Sequence, residues 1–261
     1  MKSLLRAGAG VACFLLLMHP AAAESQGKAG LGARYVKHAE YDESERLLVR
    51  ESGWLPGLVL EGAFRAGNTT WFAGIEGYRA GIDYRGQTQS GSAARSRTAT
   101  TLATLRLGAG YRITPAVTLT GALEVDLWQR DIRGTNSAAG LQERYRSERL
   151  ALGVATSWQP AAGKVGTDLA LVLSTAERMR VDFNGLLDTA RLDTRRAPGL
   201  RLGASLYPAF IPALEIRGAY DWMRTGRSND APVTRNGRFA GTVAQPEHVR
   251  QGFSLTVSRL F

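Results

Sequence analysis

The chain is poor in the side chains that most often carry chemistry. Cysteine occurs once, at Cys13, and histidine only at positions 19, 38 and 248. Lysine is confined to positions 2, 28, 37 and 164, so arginine supplies nearly all of a formal charge of +10. No stretch approaches the roughly 18 consecutive apolar residues expected of a membrane-spanning helix. Each shortage excludes a class. The missing apolar run excludes helical membrane spans. Once Cys13 leaves with a leader, disulfides, thiol nucleophiles and cysteine-ligated metals are excluded too. The histidines have no close ligand spacing, so no metal site and no cofactor are expected.

What is present begins with a leader. Lys2 and Arg6 make a basic start, residues 7–18 a short apolar run, and Ala21-Ala22-Ala23 a small-residue cleavage site before Glu24. Cys13 lies within that run after Gly10-Val11-Ala12, which is not a lipoprotein site. Residues 1–23 therefore read as a signal peptide directing export. The polar, glycine-bearing residues 24–43 read as a periplasmic tail, and residues 44–261 as the folded domain.

The dominant pattern in that domain is alternation. In 116–128, Val117, Leu119, Leu123, Val125 and Leu127 share one face; Thr118, Thr120, Ala122, Glu124 and Asp126 share the other. This is the period of a half-buried strand. Similar runs occupy 102–113, 149–158, 165–176, 199–207 and 214–222, with further strands at 44–52 and 58–66. In 69–85 the phase is ambiguous: Trp71, Ala73 and Ile75 suggest one face, Tyr78, Ala80, Ile82 and Tyr84 the other. A β-bulge near Gly77 would reconcile them. The connections alternate in length, short near 67, 114, 161 and 210, long over 86–98, 130–146, 177–197 and 224–247.

The last residues, Phe253-Ser-Leu-Thr-Val-Ser-Arg-Leu-Phe261, put Phe253, Leu255, Val257 and Phe261 on one face. This segment resembles the closing, insertion-signal strand of Gram-negative outer-membrane β-barrels, with Arg259 as a departure. The resemblance implies an all-β, transmembrane, antiparallel up-and-down barrel of about ten strands, with 8 or 12 as alternatives. It also implies the barrel-assembly machinery as a partner during insertion, and residence in the cell outer membrane. Strands of 9–11 residues with alternating polarity, short turns on one side and long loops on the other suit it. Tyr111, Trp128, Trp158, Tyr207, Trp222 and Phe261 read as interfacial girdles. Tyr84-Arg-Gly-Gln-Thr-Gln-Ser-Gly91, Trp128-x-Arg130-x-Ile132 and Gly140-Leu-x-Glu143-x-Tyr145 resemble uncharacterised outer-membrane β-barrel proteins, to which no activity attaches.

In such a barrel the polar face lines the lumen. That face carries Glu61, Glu124, Asp126, Asp168, Glu215 and Asp221, with Arg65, Arg106, Arg149, Arg201, Arg217 and Arg250. Paired across a ten-stranded interior, these charges predict a mostly blocked lumen. The leading function is then structural or surface-binding, with a monomer in outer-membrane lipid. The arginine-rich loops suit lipopolysaccharide phosphates; export removes nucleic acid as a partner. A narrow, porin-like selective channel for small solutes is one alternative. A rim hydrolase is another, because omptin proteases share the ten-stranded architecture. For that reading His248 and Asp221 are the catalytic candidates, with Asp131 and Asp230 near the same rim. Asp182, Asp188 and Asp193 are interleaved with Arg180, Arg191 and Arg195 and read as a solvated loop rather than a calcium site.

Overall fold

The computed structural model describes residues 24–87, 92–135 and 139–261. The expected leader at 1–23 lies outside the described residues, as do 88–91 and 136–138 within two of the connections. The strands are β1 (Glu24–Tyr41), β2 (Leu47–Ala66), β3 (Thr69–Gln87), β4 (Ala93–Arg112), β5 (Val117–Ile132), β6 (Leu141–Trp158), β7 (Gly163–Ser174), β8 (Arg178–Asp182), β9 (Ala190–Asp193), β10 (Ala197–Pro208), β11 (Leu214–Thr225), β12 (Ala231–Arg235), β13 (Arg238–Val243) and β14 (Glu247–Leu260). They form a closed antiparallel barrel of ten strands. β8 continues β7 along β6, and β9 leads into β10. β12 and β13 make a separate hairpin. The barrel closes where β14 pairs with β1, from Lys28 opposite Leu260 to Tyr41 opposite Glu247.

Two tight turns follow from local chemistry. Gly67, at φ 60°, with Asn68 joins Ala66 to its partner Thr69; glycine in the first central position suits the twist of a hairpin. Asn236 and Gly237, at φ 52° and 75°, join β12 to β13, the Asn-Gly pair that a turn with two left-handed residues requires.

The apolar rows face outward. Leu58, Leu123 and Leu171 are each more than 60% exposed, and Leu31, Leu107, Leu152, Leu169 and Leu255 belong to the same belt. A belt of exposed leucines around a closed sheet is the surface that hydrocarbon covers. Phe253, Leu255, Val257 and Phe261 all lie on it. Beyond the belt, toward the long connections, the polarity inverts. Arg79, Gly81, Asp83 and Arg85 of β3 face out, while Tyr78 and Ile82 pack inside with Val36 and Leu55. Trp128, Tyr145, Met179, Val181 and Leu192 form a second interior cluster at that end.

Four expectations are corrected. Residues 24–41 are no tail but β1, which pairs along its length with β2 and β14. Half of its outward row, Ala29, Leu31, Ala33 and Tyr35, is alanine, and glycines at 30 and 32 interrupt its inward row, so its alternation is weak in sequence. The segments 44–52 and 58–66 are one strand, β2. Pro56 sits inside it, and the β2–β3 ladder lapses between Ser52–Asp83 and Gly57–Tyr78, where Pro56 has no N–H to give. No bulge occurs at Gly77: β3 pairs with β4 in unbroken register from Thr69 to Gln87. The side chains keep their phase there and the surroundings change. Finally, Trp128 is 2% exposed and Tyr207 bonds Glu215 inside the lumen, so neither belongs to a girdle.

Candidate functional site

Inward-facing charges fill the lumen in tiers. At the short-turn end Lys28 Nζ meets Glu61 at 3.2 Å and Glu215 at 2.9 Å, and Arg217 meets Asp168 at 2.7 Å. Arg65 reaches Glu24 at 3.7 Å at the open edge. In the middle tier Glu124, 3% exposed, is held by Arg106 at 2.8 Å and by both terminal nitrogens of Arg201 at 2.6 and 3.0 Å. Arg34 donates to Asp221 at 2.5 Å, and Arg149 and Arg250 converge on Asp126 at 2.6 and 3.3 Å. The cavity left among Arg34, Glu76, Asp126, Arg149, Arg201 and Asp221 is about 40 Å³, room for little more than a water or two.

The upper tier is the most buried and the least expected. Arg130, assigned to a surface loop from the sequence, is 1% exposed at the centre of the lumen. Its Nε donates to Glu51 at 3.0 Å; its Nη1 donates to Glu40 at 2.9 Å, Glu143 at 2.6 Å and the Tyr145 hydroxyl at 3.2 Å. Trp128 stacks on Tyr145 at 4.7 Å and has two guanidinium groups near its ring, Arg130 at 5.1 Å and Arg250 at 4.9 Å. The His38 ring sits 4.7 Å from Trp128 and 5.3 Å from His248. These are the residues of Trp128-x-Arg130 and Glu143-x-Tyr145: alternate positions on β5 and β6, aimed at one point.

The hydrolase candidates are not brought together. His248 is fully buried; its Nε2 lies 3.1 Å from Glu177 and its Nδ1 3.3 Å from the Pro246 carbonyl oxygen. Asp221 lies opposite Gly252, two pleats down β14 from His248, and is engaged by Arg34. Asp131 is exposed outside the barrel, and Asp230 pairs with Arg227. Asp182, Asp188 and Asp193 are also engaged separately: Asp182 caps the Asn184 amide, Asp188 accepts from Thr234 and Gly237, and Asp193 faces Arg178. Sequence reasoning missed Lys28, Arg34, Glu40, Glu51, Glu143 and Glu177 as lumen groups. The signal for most was phase: each shares parity with the inward residues of its own strand.

Glu177 lies in the connection between β7 and β8. Burial pushes its carboxyl up, but Arg250, 2.6 Å away, and the bond with His248 outweigh that and hold it well below the usual carboxylate range. A depressed folded value makes a contribution that is complete above the unfolded value near 4.5 and fades as pH falls below it. Glu177→Gln is therefore expected to lower stability at neutral pH and to flatten the acid limb of the pH–stability curve. Urea midpoints of the micelle-folded protein between pH 3 and 7 check this; an unchanged acid limb would refute it.

No protein-family model matches the chain, and no curated protein matches it. Among solved structures it is similar to the outer membrane protease OmpT from Escherichia coli, with a TM-score of 0.59 and 12% identity over 91% of this chain and 96% of that one. It is also similar to the translocator domain of the autotransporter NalP from Neisseria meningitidis (TM-score 0.48, 11% identity, 99% and 95% covered). A third likeness is to the attachment invasion locus protein Ail of Yersinia pestis (TM-score 0.37, 10% identity, 90% and 99% covered). The chain thus resembles small Gram-negative outer-membrane β-barrels, and what the likeness establishes is the fold.

Proposed function

We propose that this chain is an outer-membrane barrel with a sealed lumen, whose role is structural or surface-binding and is exercised at the end bearing the long connections. The observation that carries the reading is the lumen itself. Arg130, Glu124 and Arg250 are each less than 10% exposed across its width, and about 40 Å³ is the cavity among the middle-tier charges. A hydrated solute needs more room than that. The polar residues that could meet a ligand therefore lie outside, with lipopolysaccharide the surface partner that the arginine excess suits. The likeness to OmpT supports the ten-stranded plan. The buried His248, bonded to Glu177, gives the hydrolase reading no exposed base.

Two measurements test this. Purified protein in a planar bilayer is expected to give no conductance steps; steady unitary currents would overturn the sealed lumen. Trypsin applied to intact cells is expected to cut after Arg46, Arg195, Arg196 or Arg227, which lie outside every strand. Recovery of the whole protein in osmotic-shock fluid would refute the membrane assignment.

A further inference from the structure

The outward face beyond the leucine belt carries two arginine triads that no described acid neutralises. In the first, Arg50 of β2 stands directly across from Arg85 of β3, which stands across from Arg95 of β4. In the second, Arg144 of β6 stands across from Arg180 of β8, which stands across from Arg191 of β9. All six side chains are exposed. Among the described residues none of the six has a carboxylate partner. Residues directly opposite on antiparallel strands have Cβ atoms about 4.5–5.5 Å apart, and like charges so placed are destabilising. Two such rows of three stand against the fold's own stability.

The neighbouring row makes the contrast. Arg146 and Arg178 also face each other, but Glu148 bridges both and Asp193 stands across from Arg178. The same sheet therefore ion-pairs one arginine row and leaves the next with no carboxylate in contact, although Asp182 and Asp193 hold the adjoining outward positions of β8 and β9. Height is informative too. Arg146 pairs with Leu127, the uppermost leucine of the outward row of β5, and Arg144 pairs with Gln129 one pleat higher. One pleat is about 7 Å. Arg50 lies two outward positions beyond Trp54, which is 53% exposed. Both triads thus stand on the long-connection side of the belt, the side of the outer-leaflet headgroups: the second begins one pleat above Leu127, and Arg85 of the first lies three outward positions beyond Arg79. Guanidinium forks side by side suit the paired oxygens of phosphate.

We propose that each triad is a binding site for phosphate groups carried on outer-leaflet lipid headgroups packed against the barrel. The proposal rests on the outer-membrane reading and names the ligand chemistry and the residues that hold it. Bound phosphates cancel the repulsion within each row and fix the barrel's depth and rotation against its lipid neighbours.

The test uses the full chain folded in uncharged detergent micelles, titrated with diphosphoryl lipid A, with the same lipid stripped of phosphate, and with inorganic pyrophosphate. The wild type is expected to show two saturable sites for the diphosphoryl lipid, to ignore the stripped lipid, and to bind pyrophosphate far more weakly. R50Q/R85Q/R95Q and R144Q/R180Q/R191Q are each expected to lose one site, weakening binding there by about ten-fold or more. Both are expected to keep the folded gel mobility, since each substitution removes repulsion. R146Q/R178Q is expected to retain both sites. Folded triple variants that keep both sites would overturn the proposal, as would equal binding of the stripped lipid. Pyrophosphate competing at equal concentration would identify free-anion sites and overturn the lipid assignment. Conductance in a bilayer, by contrast, would sink the sealed lumen and leave the triads standing.

Discussion

Arg130→Met is expected to unfold the barrel under conditions in which the wild type is stable. Among the described residues Arg130 is the one arginine or lysine paired with Glu40, Glu51 and Glu143, all of them buried. Removing one partner of a buried ion pair costs roughly 3–5 kcal/mol, because the charge left behind has neither water nor a counter-ion. Here three carboxylates are stranded together. Even the lower figure, at roughly 1–3 kcal/mol per molar urea, moves the midpoint by about 1 M or more. Arg130→Lys is expected to recover little of the loss: a compact ammonium on a flexible stem cannot bond carboxylates in three directions as the planar guanidinium does. Urea titration of the micelle-folded protein, followed by gel mobility, measures both variants. A midpoint for Arg130→Met within about 0.3 M of the wild type would show that the cluster is dispensable; the slope is that of a small protein.

Leu171→Arg is expected to cost about 2–4 kcal/mol of folding free energy in a bilayer, the penalty for a lipid-facing arginine near the midplane. Leu171 lies between Leu152 of β6 and Leu200 of β10, well inside the belt, and is 64% exposed. On a surface bathed by water the same change would be nearly neutral, so the size of the effect separates the two environments. Folding yield into phosphatidylcholine vesicles across a urea series gives the number. A shift smaller than about 0.5 kcal/mol would mean that water, not hydrocarbon, wets this row.

How much of this was legible beforehand varied with depth. Strands in the belt announced themselves, because a hydrocarbon exterior and a charged interior enforce strict alternation over 117–127, 149–158 and 199–207. β1 did not: with Ala29 and Ala33 as half its outward row, lipid contact leaves a faint hydropathic trace. The pairing of lumen charges was readable in outline. Glu124 faces Arg106 and Arg149 directly on the two strands beside β5, and Asp126, one pleat along, takes Arg149 on the diagonal. Pairs between strands that are not neighbours, such as Arg34 with Asp221 over β14 and Arg201 with Glu124, needed the closed barrel. The upper cluster was hidden for a different reason. Once strands leave the membrane their interior must exclude water like any soluble core, so Tyr78, Ile82, Trp128 and Tyr145 turn inward on the parity that carries charge lower down. Read at one polarity throughout, β3 demanded a bulge it does not contain.

That reversal gives the molecule a built-in depth gauge. Along β3 the outward positions run Trp71, Ala73, Ile75, Gly77, Arg79, Gly81, Asp83 and Arg85 while the backbone register stays fixed. Leucine introduced successively at these sites would be welcome up to some residue and sticky beyond it. The crossover locates the waterline on the protein to within a single repeat of the pleat, with no lipid coordinates required.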